Sequence, residues 1–189
     1  GGLFAGNPDL DPESSTSAEL GLRWSHPGAG TLSAALYRTE VEDLIAFNGE
    51  DFQAINIDEA RLKGIELDYS WNRADWLLGA NATFQQAEDS LTGEPLLRRP
   101  EEKASLSLDR TFDNGSWLGL EWLYVGDRQD FGGIELSSYQ LFNLRAGWQF
   151  LPAWRAELRG DNLADETYEP AYGFNAAGRS WFISLAWMP

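Results

Sequence analysis

Cysteine is absent from all 189 residues, so neither a disulfide framework nor a thiolate metal site can form. Positive charge is scarce. Fourteen Lys and Arg stand against 30 Asp and Glu, and the formal net charge of −16 argues against a strong nucleic-acid partner. No apolar run approaches the roughly 18 residues of a membrane-spanning helix. The first residues, Gly1-Gly2-Leu3-Phe4-Ala5-Gly6, lack the charged start and apolar centre of a secretory leader, so the amino terminus of an exported protein is expected upstream. A nucleophile elbow, a Cys–His pair and a phosphate loop are missing too, so enzymatic activity is not expected. The single histidine, His26, falls in His26-Pro27-Gly28-Ala29-Gly30 and reads as an exposed turn residue rather than a ligand or base.

Aromatic residues, by contrast, are plentiful: nine Trp, six Tyr and ten Phe in a chain rich in acids and glycine. They fall within a pattern of period two. In Ser17–Ser25 every even position is apolar or small, and the odd ones are polar, charged or glycine. The alternation returns at Leu32/Ala34/Leu36, at Ile65/Leu67/Tyr69/Trp71 and at Trp76/Leu78/Ala80/Ala82/Phe84. Further stripes are Ala104/Leu106/Leu108, Leu118/Leu120/Trp122/Tyr124, Phe142/Leu144/Ala146/Trp148, Trp154/Ala156/Leu158 and Trp181/Ile183/Leu185/Trp187. Alternation places each stripe on one face of a strand. Segments of about ten residues suit tilted strands that cross a bilayer, and Trp or Tyr at stripe ends suits the interfacial girdles. Low mean hydropathy is compatible with this, because barrel strands are apolar on one face only.

Nine such segments leave eight connections, and these sort by length. Residues 26–30, 72–75, 113–116 and 150–153 are tight; residues 41–60, 87–102, 126–138 and 162–178 are long. Strict alternation of short and long is the habit of outer-membrane barrels, with periplasmic turns and extracellular loops. A soluble β-sandwich, a lipocalin-like barrel or a carbohydrate-binding β domain would carry the same stripes but has no reason to sort its loops. The expected fold is all-β: an antiparallel transmembrane β-barrel portion of about nine meandering strands. An odd count with two open edges points to part of a larger barrel.

Four elements resemble the TonB-dependent receptors. Asn7-Pro8-Asp9-Leu10-Asp11-Pro12-Glu13, followed by Glu19 and Gly21, is similar to their N-P-x-L-x-P-E stretch. Ala60-Arg61-Leu62-Lys63-Gly64-Ile65-Glu66 looks like their A-x-x-x-G-[IV]-E signature. Asp161-Asn162-Leu163-Ala164-Asp165-Glu166-Thr167-Tyr168 contains N-L-x-D-x-x-Y, and Ala177-Gly178-Arg179-Ser180-Trp181 resembles the G-R-x-aromatic opening of the last strand. The resemblance implies a barrel of about 22 strands around a plug. It implies that residues 1–189 are its carboxyl-terminal part, with 1–14 an extracellular loop and 15–189 the strands. The plug, the TonB box and about thirteen strands would lie outside the sequence. The end, Trp187-Met188-Pro189, departs from the family's terminal aromatic.

Three stretches look most like the family's cobalamin importers: Pro95–Arg99, Tyr124–Arg128, and Tyr168–Arg179 with its Y-G-aromatic-x-x-A-G-R pattern. The resemblance implies an outer-membrane, multi-pass receptor. Its expected partners are cobalamin or a related chelate as transported ligand, lipid, TonB through the plug segment, and the barrel-insertion machinery. No resident cofactor, no bound metal and no nucleic acid are expected. A siderophore or haem receptor is the alternative within the fold, and a small barrel hydrolase is the enzymatic one. By resemblance Arg98 stands where a cobalamin receptor places a ligand-contacting arginine, and Phe131 falls in a loop that presents an aromatic to ligand. Tyr172 and Phe174 read as loop-packing residues. Glu50, Asp51, Asp58 and Glu59 read as solvated loop charge rather than a calcium site. Asp161 and Asn162 read as turn residues beside Gly160.

Overall fold

The computed structural model describes residues 7–48 and 53–187, with the backbone alone at 46–48, 53 and 57–58. Eleven strands follow in chain order: β1 (Ser14–His26), β2 (Gly30–Asn48), β3 (Gln53–Arg73), β4 (Trp76–Asp89), β5 (Glu102–Thr111), β6 (Trp117–Val125), β7 (Arg128–Asp130), β8 (Ile134–Leu136), β9 (Tyr139–Leu151), β10 (Trp154–Asp161) and β11 (Ser180–Trp187). Nine of them form one antiparallel sheet in the order β1-β2-β3-β4-β5-β6-β9-β10-β11, while β7 and β8 form a separate two-stranded sheet. Each main strand therefore pairs with its neighbour in sequence, as a barrel wall requires.

The register aligns the apolar stripes from strand to strand. Leu20 faces Leu36, Leu36 faces Ile65 and Ile65 faces Phe84. Farther along the sheet Leu118 faces Ala146, Ala146 faces Leu158 and Leu158 faces Ile183. One continuous apolar face results, and none of the described residues covers it. Leu22 is 71% exposed and Ile183 81% exposed, and among the described residues only Ala60, Ala87 and Leu136 are buried apolar side chains. A soluble sandwich would bury this face against a second sheet. Here the apolar face is the outside, which fits a hydrocarbon surround.

The opposite face is polar and cross-linked. Arg145 reaches Asp109 at 2.9 Å, Asn143 donates to Glu121 at 2.8 Å and Asn81 donates to Ser105 at 2.7 Å. The first bridge passes over Gly119, where a Cβ would lie 2.4 Å from Asp109 Oδ1. Gly64 serves the same purpose for an aromatic ring. Tyr37 lies across it to donate to Gln85 at 3.2 Å, and a Cβ at Gly64 would meet Phe84 O at 2.6 Å and Tyr37 Oη at 2.7 Å. Gly64 and the buried Ala60 are the small residues of the A-x-x-x-G-[IV]-E element, so that element marks a close crossing on β3.

The tight turns gather at one end. The β1–β2 turn is pinned to β3, whose Tyr69 Oη and Trp71 Nε1 donate to the carbonyls of Ala29 and Gly28 at 2.7 and 3.0 Å. His26 stacks on Trp24 there, ring centroids 5.9 Å apart, at the end away from the long loops. Arg110 sits over both Trp76 and Phe112, 4.9 and 4.8 Å from the ring centroids, so a cation and two rings share this rim.

Two of the long connections are more ordered than a loop. Residues 41–60 are not an irregular connection: β2 and β3 stay paired out to Asn48 and Gln53, forming a tall hairpin. Alternation fades there because Leu44, Ile45, Ala46 and Phe47 are apolar in succession after Asp43, whose φ is 55°, while the ladder continues. Residues 126–138 fold into the β7–β8 hairpin around a single 3-10 turn, Phe131–Gly133. The N-P-x-L-x-P-E stretch braces the tall hairpin. Asn7 Nδ2 donates to Ala54 O at 2.9 Å, Asn56 Oδ1 accepts from Asp11 N at 2.9 Å, and Glu13 accepts from Ile45 N at 2.7 Å.

The Gly64 crossing yields a test. Gly64→Ala places a methyl against backbone oxygen and is expected to destabilise the folded receptor by about 1–3 kcal/mol, as overpacking does. Gly21→Ala, whose Cβ would meet nothing nearer than 3.9 Å, serves as the control and is expected to be close to neutral. Urea unfolding in lipid vesicles measures both; equal effects would remove the steric reading.

Candidate functional site: three loops joined by one carboxylate

The long connections converge at the end opposite the tight turns. The β4–β5 connection folds back on itself: Leu96 N donates to Ala87 O and Asp89 N to Glu94 O, at 2.8 and 2.9 Å. The amides of Thr92 and Leu91 bond the Asp89 carboxylate and hold it below its ordinary pKa despite partial desolvation. This shape lifts Arg98 toward the β7–β8 hairpin, where its own amide donates to Gln129 O at 2.7 Å. Arg98 has a left-handed backbone, φ 59°. For a residue with a Cβ that conformation costs about 1–2 kcal/mol and persists only where neighbours hold it.

Asp130 is the centre of the cluster. It is 0% exposed, at the end of β7. Its Oδ1 accepts from Arg98 Nε at 2.9 Å and from Phe131 N at 2.8 Å, and its Oδ2 accepts from Tyr172 N at 2.7 Å. One carboxylate thus joins the β4–β5, β6–β9 and β10–β11 connections. Burial alone would raise the Asp130 pKa; the amides of Tyr172 and Phe131, with the Arg98 guanidinium, outweigh it and hold it below the ordinary value. The Arg98 guanidinium lies 5.2 Å from the centroid of the Phe131 ring. Beside this pair opens a cavity of about 470 Å³, lined by Leu44 and Ile45 of the tall hairpin, by Leu96, Leu97, Arg98, Arg99 and Phe131, and also by the acids Asp89 and Glu94.

Two further contacts fix the last connection. Arg128, buried at the start of β7, donates to the carbonyls of Ser137 and Glu169 and sits 5.2 Å from the Tyr139 ring centroid. Tyr139 stacks on Tyr168 with centroids 4.2 Å apart. At the base, Asn162 is buried with φ 51°; its amide group donates to Glu166 O at 2.8 Å and its Oδ1 accepts from Glu166 N at 2.8 Å. Asp165 accepts from Arg179 N at 2.8 Å, and that amide together with the Arg179 charge holds its carboxyl below the ordinary value. The N-L-x-D and G-R elements are therefore the two halves of one clip.

Arg98 and Phe131, far apart in sequence, stand side by side. Tyr172 and Phe174 differ from their reading as loop-packing residues. The two residues are 60% and 69% exposed, and it is the Tyr172 amide that holds the loop. Asn162 is the turn residue expected, whereas Asp161 lies in β10 and pairs with Arg159 at 2.6 Å. Asp130 was missed. Its only sequence signal is an acid immediately before Phe131, and its partners at Arg98 and Tyr172 are remote in sequence. Glu50 and Asp51 lie outside the described residues, as does the Asp58 side chain. No group of three or more potential metal-ligating side chains is found among the described residues.

An antiparallel meander with an uncovered apolar face, tight turns at one end and ordered long loops at the other has the make-up of a transmembrane β-barrel wall. The profile described as "TonB dependent receptor-like, beta-barrel" matches residues 1–163, and the chain belongs to that family. It is 29% identical over 190 aligned residues to the vitamin B12 transporter BtuB of Vibrio vulnificus (strain YJ016), covering 96% of this chain and 31% of the relative. Its fold matches the ferric-catecholate import receptor Fiu of E. coli K12 at TM-score 0.76 and 21% identity, covering 96% of this chain and 28% of that one. It also matches the outer-membrane ferripyoverdine receptor of Pseudomonas aeruginosa at TM-score 0.77 and 20% identity, covering 94% and 27%. The chain thus spans about a third or less of the length of these relatives.

The loop cluster carries a pH prediction. Asp130 has its pKa lowered on folding, so its contribution is fully present above its unfolded value of about 3.8 and is lost as pH falls through the lower folded value. The three loops are expected to resist limited proteolysis equally at pH 7 and pH 5 and to open only below about pH 4. Opening between pH 5 and 7 would mean that another group governs the cluster.

Proposed function

We propose that this chain forms the carboxyl-terminal wall of an outer-membrane TonB-dependent importer whose extracellular loops capture cobalamin. The observation that carries the reading is the pairing of Arg98 and Phe131 beside the cavity at the long-loop end. A guanidinium offers several donors to an amide-rich, phosphate-bearing corrinoid, and an aromatic ring at a loop tip can pack on a flat macrocycle. The relative that is a vitamin B12 transporter supports the corrinoid assignment. The polar inner face, with bridges such as Asp109–Arg145, suits a wetted lumen. Energy from TonB would act through a plug segment outside this sequence.

The second reading is an iron-chelate receptor of the same fold. It is favoured by the structural relatives that take ferric catecholates and ferripyoverdine. Both readings place the receptor in the outer membrane and assign it no catalysis.

Equilibrium binding of cyanocobalamin to the whole receptor in detergent, with and without Arg98→Ala, separates these. Submicromolar binding weakened about tenfold or more by the substitution is expected, since a hydrogen bond to a charged group is worth about 1.5–3 kcal/mol. Tight binding untouched by Arg98→Ala would keep the corrinoid and remove the residue. A folded receptor that ignores corrinoid and binds a ferric siderophore would establish the second reading.

A further inference from the structure

Arg98 is held in an unusual way. Only its Nε is engaged, by Asp130, and its backbone is locked left-handed by the bond from its amide to Gln129 O. Among the described residues neither terminal Nη has a hydrogen-bonding partner, and the side chain remains 45% exposed at the mouth of the cavity. The guanidinium is thus fixed at Nε by a buried carboxylate, with Cζ 5.2 Å from the Phe131 ring centroid, and its two Nη groups are without a hydrogen-bonding partner among the described residues. An arginine left to solvent samples many rotamers and loses that freedom when a ligand orders it. Arg98 is ordered beforehand.

Asp130 is itself fixed. Its two other bonds come from backbone amides in two different loops, so moving the carboxylate would break the β6–β9 and β10–β11 connections together. The strain stored at Arg98 is consistent with such over-determination, because a left-handed non-glycine residue survives only where its surroundings dictate it.

We infer that Asp130 is a positioning residue that presents the two Nη donors of Arg98 as a preformed fork for an anionic group, phosphate or carboxylate, on a ligand whose flat apolar part rests on Phe131, Leu97 and Ile45. This rests on the site assignment made under the proposed function, but not on the ligand being a corrinoid. Asp130 touches no ligand in this scheme and acts through Arg98. Bidentate recognition by a planar fork depends on orientation, so loosening the fork weakens binding without removing the charge.

The test is a double-variant cycle in the whole receptor, using Asp130→Asn and Arg98→Ala with cyanocobalamin as probe, alongside two readouts without ligand. Asp130→Asn keeps the size of the side chain and removes its charge. It is expected to raise hydrogen exchange at the Phe131 and Tyr172 amides about tenfold or more and to shift the Arg98 Nε–H resonance toward that of a solvated arginine. In binding, Asp130→Asn is expected to weaken the probe about tenfold, and the double variant to bind no worse than Arg98→Ala alone. Additive losses, or unchanged exchange and an unchanged Nε signal, would overturn the inference. A receptor that binds no corrinoid would remove the proposed cargo; the amide exchange and the Nε signal then decide the positioning role alone, in either direction.

Discussion

A sheet whose apolar side chains find no partner within the protein must find one outside it. That constraint organises the rest of the chain. The described residues bury only three apolar side chains, so the hydrophobic effect cannot hold this fold as it holds a sandwich. Order comes from the ladder of backbone hydrogen bonds, which runs through the nine-stranded sheet from β1 to β11. Polar side chains then do on the inner face what packing does in a soluble core. They bridge neighbouring strands at fixed register, as Arg145 does to Asp109 and Asn81 to Ser105.

Close crossing is the second consequence. Where a bridge or ring must pass over a strand, the residue beneath must be small. Gly64 lies under Tyr37 and Gly119 under the Asp109–Arg145 bridge, and at Gly147 a Cβ would collide with the Trp117 ring. The A-x-x-x-G-[IV]-E element thus has a mechanical meaning: a β3 position that another side chain crosses. The N-P-x-L-x-P-E element likewise braces the β2–β3 hairpin through Asn56 and Ile45, which places Ile45 at the cavity.

The strands were legible because alternation is a one-dimensional record of two faces, and the apolar band keeps it clean from Leu20 to Trp187. It failed above the band. Glu40 and Glu42 continue the face of Leu32, Ala34 and Leu36, and Leu44-Ile45-Ala46-Phe47 then runs apolar without alternating, so a hairpin read as a loop although the ladder runs on. Strands of three residues, such as β7 and β8, are too short to show any period. The site divides the same way. Arg98 and Phe131 could be singled out only through family resemblance, since neither stands out by spacing. Asp130 could not, because an acid in a loop is ordinary until its burial is known, and that burial depends on Arg98 and Tyr172 arriving from two other connections.

Why one carboxylate can reach three loops follows from the sheet. In a meander, consecutive connections at one end are separated by two strands, about 10 Å at the usual spacing. The β4–β5, β6–β9 and β10–β11 connections are consecutive at the loop end, so their bases stand in a row. The middle one needs only the short β7–β8 hairpin to place a side chain between its neighbours. Asp130 occupies that place, with Arg98 on one side and the Tyr172 amide on the other. Burial of a lone carboxylate would be costly, and two backbone amides with a guanidinium offset that cost together. The loops are thus ordered from the middle outward. The same geometry leaves the Arg98 side chain 45% exposed beside the cavity, bonded among the described residues only through Nε to the carboxylate that orders the loops.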